Sequence, residues 1–230
     1  MKSFLIIGAS AFVMLGCGLG ASLQPKLGYL QEKQSPAAAE QGKVLQPKDL
    51  TETAPATFKA KFETTKGDFT MEFYRDWSPN GVDRFYNLVK NGYFQDIAIF
   101  RAVDNFMFQF GIHGDPEMNK VWSEARIKDD PDTGHTNAVG TISFAKGGAD
   151  SRSVQLFISL TDNRRLDAMG FTPLGKVVEN AAILGKINTE YGENSRDVQG
   201  NFQAQGNAYV KEKFPNLDYI KSITLVTEEK

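Results

Sequence analysis

Residues 99–111 read Ile99-Phe100-Arg101-Ala102-Val103-Asp104-Asn105-Phe106-Met107-Phe108-Gln109-Phe110-Gly111. In an extended chain successive side chains point to opposite faces, so Met107 and Gln109 share one face while Phe106, Phe108 and Phe110 share the other. Further along, Gln155 and Phe157 likewise share a face, with Leu156 and Ile158 opposite. Each strand thus sets one Gln beside a large apolar residue, a greasy surface with a few polar handles, as in a small ligand pocket. Taken singly these residues say little. Phe and Met in strands usually pack a core, Gln is usually exposed, and a lone Arg101 usually sits in a surface ion pair.

Upstream, Phe58, Ala60 and Phe62 alternate with polar residues, as do Phe69, Met71 and Phe73, and Lys66-Gly67-Asp68 lies between them. Two alternating runs around a Gly turn predict a hairpin. Ser78 is a candidate N-cap and Pro79 a first helical residue, with Val82, Phe85, Leu88 and Val89 at helical spacing and Asn91-Gly92 as the stop. Further strands are predicted at Ala98–Arg101, Phe106–Phe110, Gly140–Phe144, Gln155–Ser159, Phe171–Val178 and Tyr219–Val226. Short helices are predicted around Asn180–Ile187 and Ala208–Phe214. Many short strands with few helices argue for a β barrel or sandwich over residues 57–230.

The 230 residues hold 26 Lys+Arg against 28 Asp+Glu, so no basic face for nucleic acid is indicated. The hydrophobic fraction of 41%, with 17 Phe, supplies a core and excludes wholesale disorder. One Cys excludes an intramolecular disulfide, and one Cys with two His does not make a structural zinc pattern. His113, His135 and the acidic run Asp129-Asp130-Pro131-Asp132 read as loop residues, and no cofactor or metal is expected.

Residues 1–17 carry Lys2, an uncharged apolar run from Phe4 to Leu15, and the ending Met14-Leu15-Gly16-Cys17. The run is shorter than the roughly 20 residues needed to cross a bilayer and has the length of a signal-peptide core. Its ending resembles a bacterial lipobox. That resemblance implies lipidation of Cys17 and a membrane anchor; ordinary cleavage near Gly18-Leu19-Gly20, or an uncleaved anchor, is the alternative. Either way the body is expected to be exported to the cell envelope or periplasm. Residues 18–56 hold four of nine prolines and show no sustained period, so they read as a flexible linker spanning on the order of 35 Å. An arm packed on the domain is the other reading.

Three blocks in order carry a family resemblance. Arg101 followed by Phe106, Met107, Gln109 and Gly111, then Val154-Gln155-Leu156-Phe157-Ile158, then Arg165-Leu166-Asp167 through Gly175-Lys176-Val177 resemble the cyclophilin active-site strands. The resemblance implies a closed eight-stranded antiparallel barrel capped by two helices, working as a monomer on Pro-containing polypeptide segments. It implies peptidyl-prolyl cis/trans isomerase activity with Arg101 and Gln109 catalytic, and Phe106, Met107, Ala145, Gln155, Phe157, Leu166 and Phe171 binding substrate. A non-catalytic module that holds Pro-containing segments is the alternative.

This sequence departs from the family pattern at Phe100, where a His is usual, at Arg165 for Trp, and at Phe171 for a pocket His. Lys146 falls within the segment that lines the peptide groove. Lys146 and Arg165 together lead us to expect a basic rim. The stretch Tyr191–Leu217 is longer than the pattern requires, and the sequence assigns it no role.

Overall fold

In the computed structural model, residues 44–194 and 199–227 are described. Strands β1 (Thr57–Thr64) and β2 (Gly67–Tyr74) pair antiparallel, with Phe58 opposite Phe73, Ala60 opposite Met71 and Phe62 opposite Phe69. The alternation therefore puts three apolar pairs on one side of the hairpin, and the turn itself is Thr65-Lys66. Helix α1 (Pro79–Lys90) lays Val82, Phe85, Leu88 and Val89 over this surface. The Phe85 ring stacks on Phe73 at 4.3 Å between centroids and on Phe62 at 6.2 Å.

Ser78 stands at the N-cap of α1, but its hydroxyl does not close onto the helix. It donates instead to Asp130, whose carboxylate accepts the Asn80 N–H at 2.8 Å and the Gly81 N–H at 2.9 Å. A carboxylate there satisfies orphan amides and meets the positive end of the helix dipole. Arg152 completes the group from the far side, with Nη1 2.9 Å from Asp130 Oδ2 and Nη2 donating to the Lys128 carbonyl. One of the three carboxylates of the acidic run, Asp130, is thus a long-range helix cap.

The remaining strands are β3 (Gln95–Ala98), β4 (Arg101–Val103), β5 (Met107–Phe110), β6 (Thr141–Phe144), β7 (Leu156–Ser159), β8 (Pro173–Glu179) and β9 (Tyr219–Leu225). They join one antiparallel sheet in the order β3-β9-β1-β2-β8-β6-β7-β5-β4. The expected closed eight-stranded barrel is therefore corrected to a curled nine-stranded sheet whose end strands, β3 and β4, share no ladder. The reason lies at Ile99-Phe100, where one strand over Ala98–Arg101 was expected. The Ile99 N–H donates to the Asp218 carbonyl at 2.8 Å, and both side chains are buried. The chain leaves β9 there and joins β5 two residues later.

The two expected caps also require correction. Three α-helices are present among the described residues: α1, α2 (Pro116–Trp122) and α3 (Gln199–Lys213). The helix expected near Asn180 is a 3-10 turn, Ala181–Lys186. Asp115 caps α2, a helix not anticipated from the sequence, by accepting the Glu117 N–H at 2.9 Å. Helix α3 breaks at Gly206, where φ is 66° and an added Cβ would lie 2.0 Å from the Gly114 carbonyl oxygen. Its residues Phe202 and Val210 join Phe100, Ile112 and Leu217 in a cluster separate from the main core.

The N-terminal boundary shifts as well. The Leu45 carbonyl accepts the Trp122 indole N–H at 2.8 Å, and Asn87 exchanges hydrogen bonds of 3.0 and 2.6 Å with the Glu52 backbone. Leu45 and Glu52, in a stretch expected within the linker, thus hydrogen-bond to residues of the domain, while residues 18–43 lie outside the described residues.

Phe85 is fully buried among stacked rings, so Phe85→Ala is expected to cost about 3–5 kcal/mol of stability. Urea unfolding of parent and variant checks this, and a loss under about 1 kcal/mol would contradict the packing described.

Candidate active site

The sheet has two chemically different faces at β5 and β7. Phe108, Phe110, Leu156 and Ile158 point into the main core, while Met107, Phe157 and Leu166 form a small cluster of their own. Over this second face opens a cavity of about 420 Å³. The structure brings Arg101, Phe106, Met107, Gln109, Ala145, Gln155, Phe157, Leu166 and Phe171 together in its lining. Cys17 lies outside the described residues. Ser151, Ser153, Met169 and Gln199 also line the cavity and were not anticipated.

Registry explains the polar side. Arg101 is opposite Gln109 across β4 and β5, and Gln109 is opposite Phe157 across β5 and β7. Arg101 Nη1 donates to Gln109 Oε1 at 3.1 Å, and Gln109 Nε2 donates to Gln155 Oε1 at 2.8 Å. Gln155 uses its carbonyl in this relay, so its amide hydrogens are what it has to offer a ligand. At Gly111 the chain runs too close to the residues that lead into β7 for a side chain. With φ at +112°, a Cβ at Gly111 would sit 2.2 Å from the Val154 carbonyl oxygen.

On the apolar side the strict alternation expected for Phe106 fails, because β5 begins only at Met107. The Phe106 carbonyl accepts from the Leu160 N–H at 2.9 Å and from Asn163 Nδ2 at 2.8 Å. Its ring thereby joins Met107 on the cavity side rather than Phe108 in the core. The turn that carries Leu166 and Phe171 is tied down by Asn137. Asn137 Nδ2 donates to Asp167 Oδ1 and to the Phe171 carbonyl, each at 2.7 Å. Phe171 meets Phe157 edge-on at 5.7 Å. Asn137 and Asn163 are positioning residues that no local sequence signal exposes, since their partners lie across the fold.

The rim is less basic than the sequence implied. Lys146 lies 2.8 Å from Asp129 and 5.6 Å over the Phe171 ring. Arg165 sits 4.8 Å over Phe106 and has no carboxylate partner among the described residues. Arg101 meets a side chain the sequence reading missed: Nε and Nη2 lie 3.0 and 2.6 Å from the two carboxylate oxygens of Glu193. Among the described residues no three His, Cys, Asp or Glu gather as a metal site. His135 stacks on Trp77 at 4.0 Å, and His113 lies against Tyr93.

An apolar pocket thus lies beside a guanidinium–amide relay on a curled antiparallel sheet with flanking helices. The chain belongs to the family described as "Cyclophilin type peptidyl-prolyl cis-trans isomerase/CLD", whose pattern matches residues 59–206. It is 30% identical over 139 residues to a peptidyl-prolyl cis-trans isomerase of Acinetobacter baylyi, covering 58% of this chain and 73% of that protein. It is 36% identical over 138 residues to peptidyl-prolyl cis-trans isomerase-like 2 of Gibberella zeae, covering 57% of this chain and only 23% of that longer protein. A cyclophilin-type isomerase of Cryptosporidium parvum has the same fold, with a TM-score of 0.56 at 17% identity over 75% of this chain and 99% of that one. That protein was also solved in the presence of the dipeptide Ala-Pro.

Burial pushes the Asp129 carboxyl up, but Lys146, the Asp150 N–H and Arg152 outweigh it and hold it below its ordinary value. A depressed carboxyl contributes stability that is present above the ordinary carboxylate range and lost as pH falls through the folded-state value. Lys146→Met is therefore expected to move the Asp129 titration upward in side-chain carboxyl NMR and to reduce the stability lost on acidification. An unchanged titration would remove Lys146 as the holder of that carboxylate.

Proposed function

We propose that the chain catalyses cis/trans isomerisation of X–Pro bonds in exported polypeptides, with the proline ring against Phe106, Met107, Phe157, Leu166 and Phe171. The observation that carries this reading is the single cavity joining that apolar wall to the Arg101–Gln109–Gln155 relay. Its volume of about 420 Å³ suits a proline ring and flanking backbone.

The reaction breaks no bond. It must only lower a rotational barrier of about 18–20 kcal/mol. The planar amide is the more charge-separated form, so an apolar wall disfavours it relative to the twisted one. Twisting also makes the prolyl nitrogen pyramidal and basic, and a guanidinium N–H from Arg101 can donate to it in that state alone. Such a contact is differential binding of the transition state. A charged hydrogen bond supplies about 1.5–3 kcal/mol, so Gln109, Gln155 and Ala145 share the rest by holding the substrate backbone.

Exchange spectroscopy of an X–Pro peptide with the full chain tests the reading. The parent is expected to broaden the cis and trans signals, and Arg101→Ala is expected to slow exchange by about 10- to 100-fold. Binding shifts without exchange in the parent would instead favour the non-catalytic module.

Export and anchoring belong to the same reading and rest on the apolar run and Cys17 at its end. Cys17→Ser is expected to abolish labelling by a radioactive fatty acid and to release the protein from the membrane fraction. Unchanged membrane retention without label would point to an uncleaved signal segment.

A further inference from the structure

The segment after β8 returns to the sheet at its end strand, β4. Gly192 forms an isolated antiparallel bridge with Ala102. In an antiparallel pair the next residue on one strand faces the previous residue on the other, so the bridge sets Glu193 opposite Arg101. Gly192 has φ +51°, a conformation glycine adopts readily. The bridge is anchored on both sides. The Gly192 N–H donates to the Thr189 carbonyl at 3.0 Å, and the Asn194 N–H donates to the Tyr191 carbonyl at 2.9 Å. The Tyr191 ring meets Phe214 edge-on at 5.2 Å. Glu193 is thus placed by the backbone, and its contact with Arg101 does not depend on a free side chain finding its partner.

A guanidinium has five N–H groups. Glu193 takes the Nε–H and one on Nη2, and Gln109 takes one on Nη1. Two remain, one on each terminal nitrogen. The Arg101 side chain is only 15% exposed, and the Phe106 ring lies 5.7 Å from its guanidinium carbon. Held on three sides, the group cannot turn without breaking a two-point ionic contact.

We propose that Glu193 is a positioning residue for isomerisation: it orders the Arg101 guanidinium in advance, leaving two N–H groups for the substrate. This rests on the isomerase reading above. An unheld arginine must lose its rotamer freedom when the twisted amide forms, whereas one already clamped does not, and donors fixed beforehand favour the transition state. Because the ordering matters where the new hydrogen bond forms, its loss falls on kcat rather than KM.

The test measures isomerisation kinetics of the full chain and its Glu193→Gln, Arg101→Ala and double variants, with thermal melts as a folding control. Glu193→Gln is expected to lower kcat about three- to ten-fold, change KM less than about two-fold, and leave the melting temperature in place. In the Arg101→Ala background the same substitution is expected to do nothing further, because its effect passes through the guanidinium. The Arg101 Nε–H resonance is expected to be protected from solvent exchange in the parent and not in Glu193→Gln.

A Glu193→Gln variant as fast as the parent, or faster, would overturn the positioning role while Arg101→Ala still slows the reaction. A faster variant would mean that the carboxylate competes with substrate. A parent with no isomerisation at all would overturn the isomerase reading and this one with it.

Discussion

The pairing of β5 with β7 is the constraint on which the rest of this molecule depends. With Gln109 opposite Phe157 and Phe108 opposite Ile158, the pleat sorts one set of side chains into the main core and the other into the cavity. A slip of one residue would exchange the two sets, sending Gln109 into a core of stacked Phe rings and Phe108 into the site. The close approach at Gly111 and the hydrogen bond from Gln109 to Gln155 both depend on this register. Core and site are therefore the two faces of one ladder, and neither can be altered alone.

A second constraint joins the first helix to the cavity rim. Asp130 caps α1 and is held by Arg152, which also lies 3.2 Å from Asp129, the partner of Lys146 beside Phe171. Burying charge is costly, and a buried ion pair is weak evidence of net stability; removing one partner is what costs most. The physical content here is specificity of placement. The loop from Lys128 to Asp130 and the rim at Lys146 share one set of charges, so their separation is set by ionic contacts rather than by a strand.

Helix α3 explains a residue that departs from the family resemblance. Phe100 stands where a His is usual, is almost fully buried, and lies 6.1 Å from Phe202 of α3. An apolar ring suits a position that this chain covers, whereas an uncovered position tolerates a titratable one. The same stretch, Tyr191–Leu217, also brings the carboxylate of Glu193 to Arg101. A stretch to which the sequence assigned no role thus packs a ring on Phe100 and, through the single bridge of Gly192 to Ala102, reaches β4, the end strand of the sheet.

The sequence by itself determined the elements governed by local periodicity. The β1–β2 hairpin followed from alternating Phe, Ala and Met, and α1 followed from Val82, Phe85, Leu88 and Val89 after Pro79. The ordered blocks around Arg101, Gln155 and Leu166 named the residues that gather at one cavity, because strand alternation and motif spacing are short-range properties. Only the tertiary structure decided what depends on partners far apart in the chain. It gave the cap of α1 to Asp130 in place of Ser78, bent the chain at Ile99-Phe100, and turned the Phe106 ring out of the core. It tied Leu45 and Glu52 to the domain, paired Lys146 with Asp129, and set Glu193 against Arg101. Each of these is a hydrogen bond, ion pair or apolar contact whose two halves carry no common period, so no pattern along the chain could announce it.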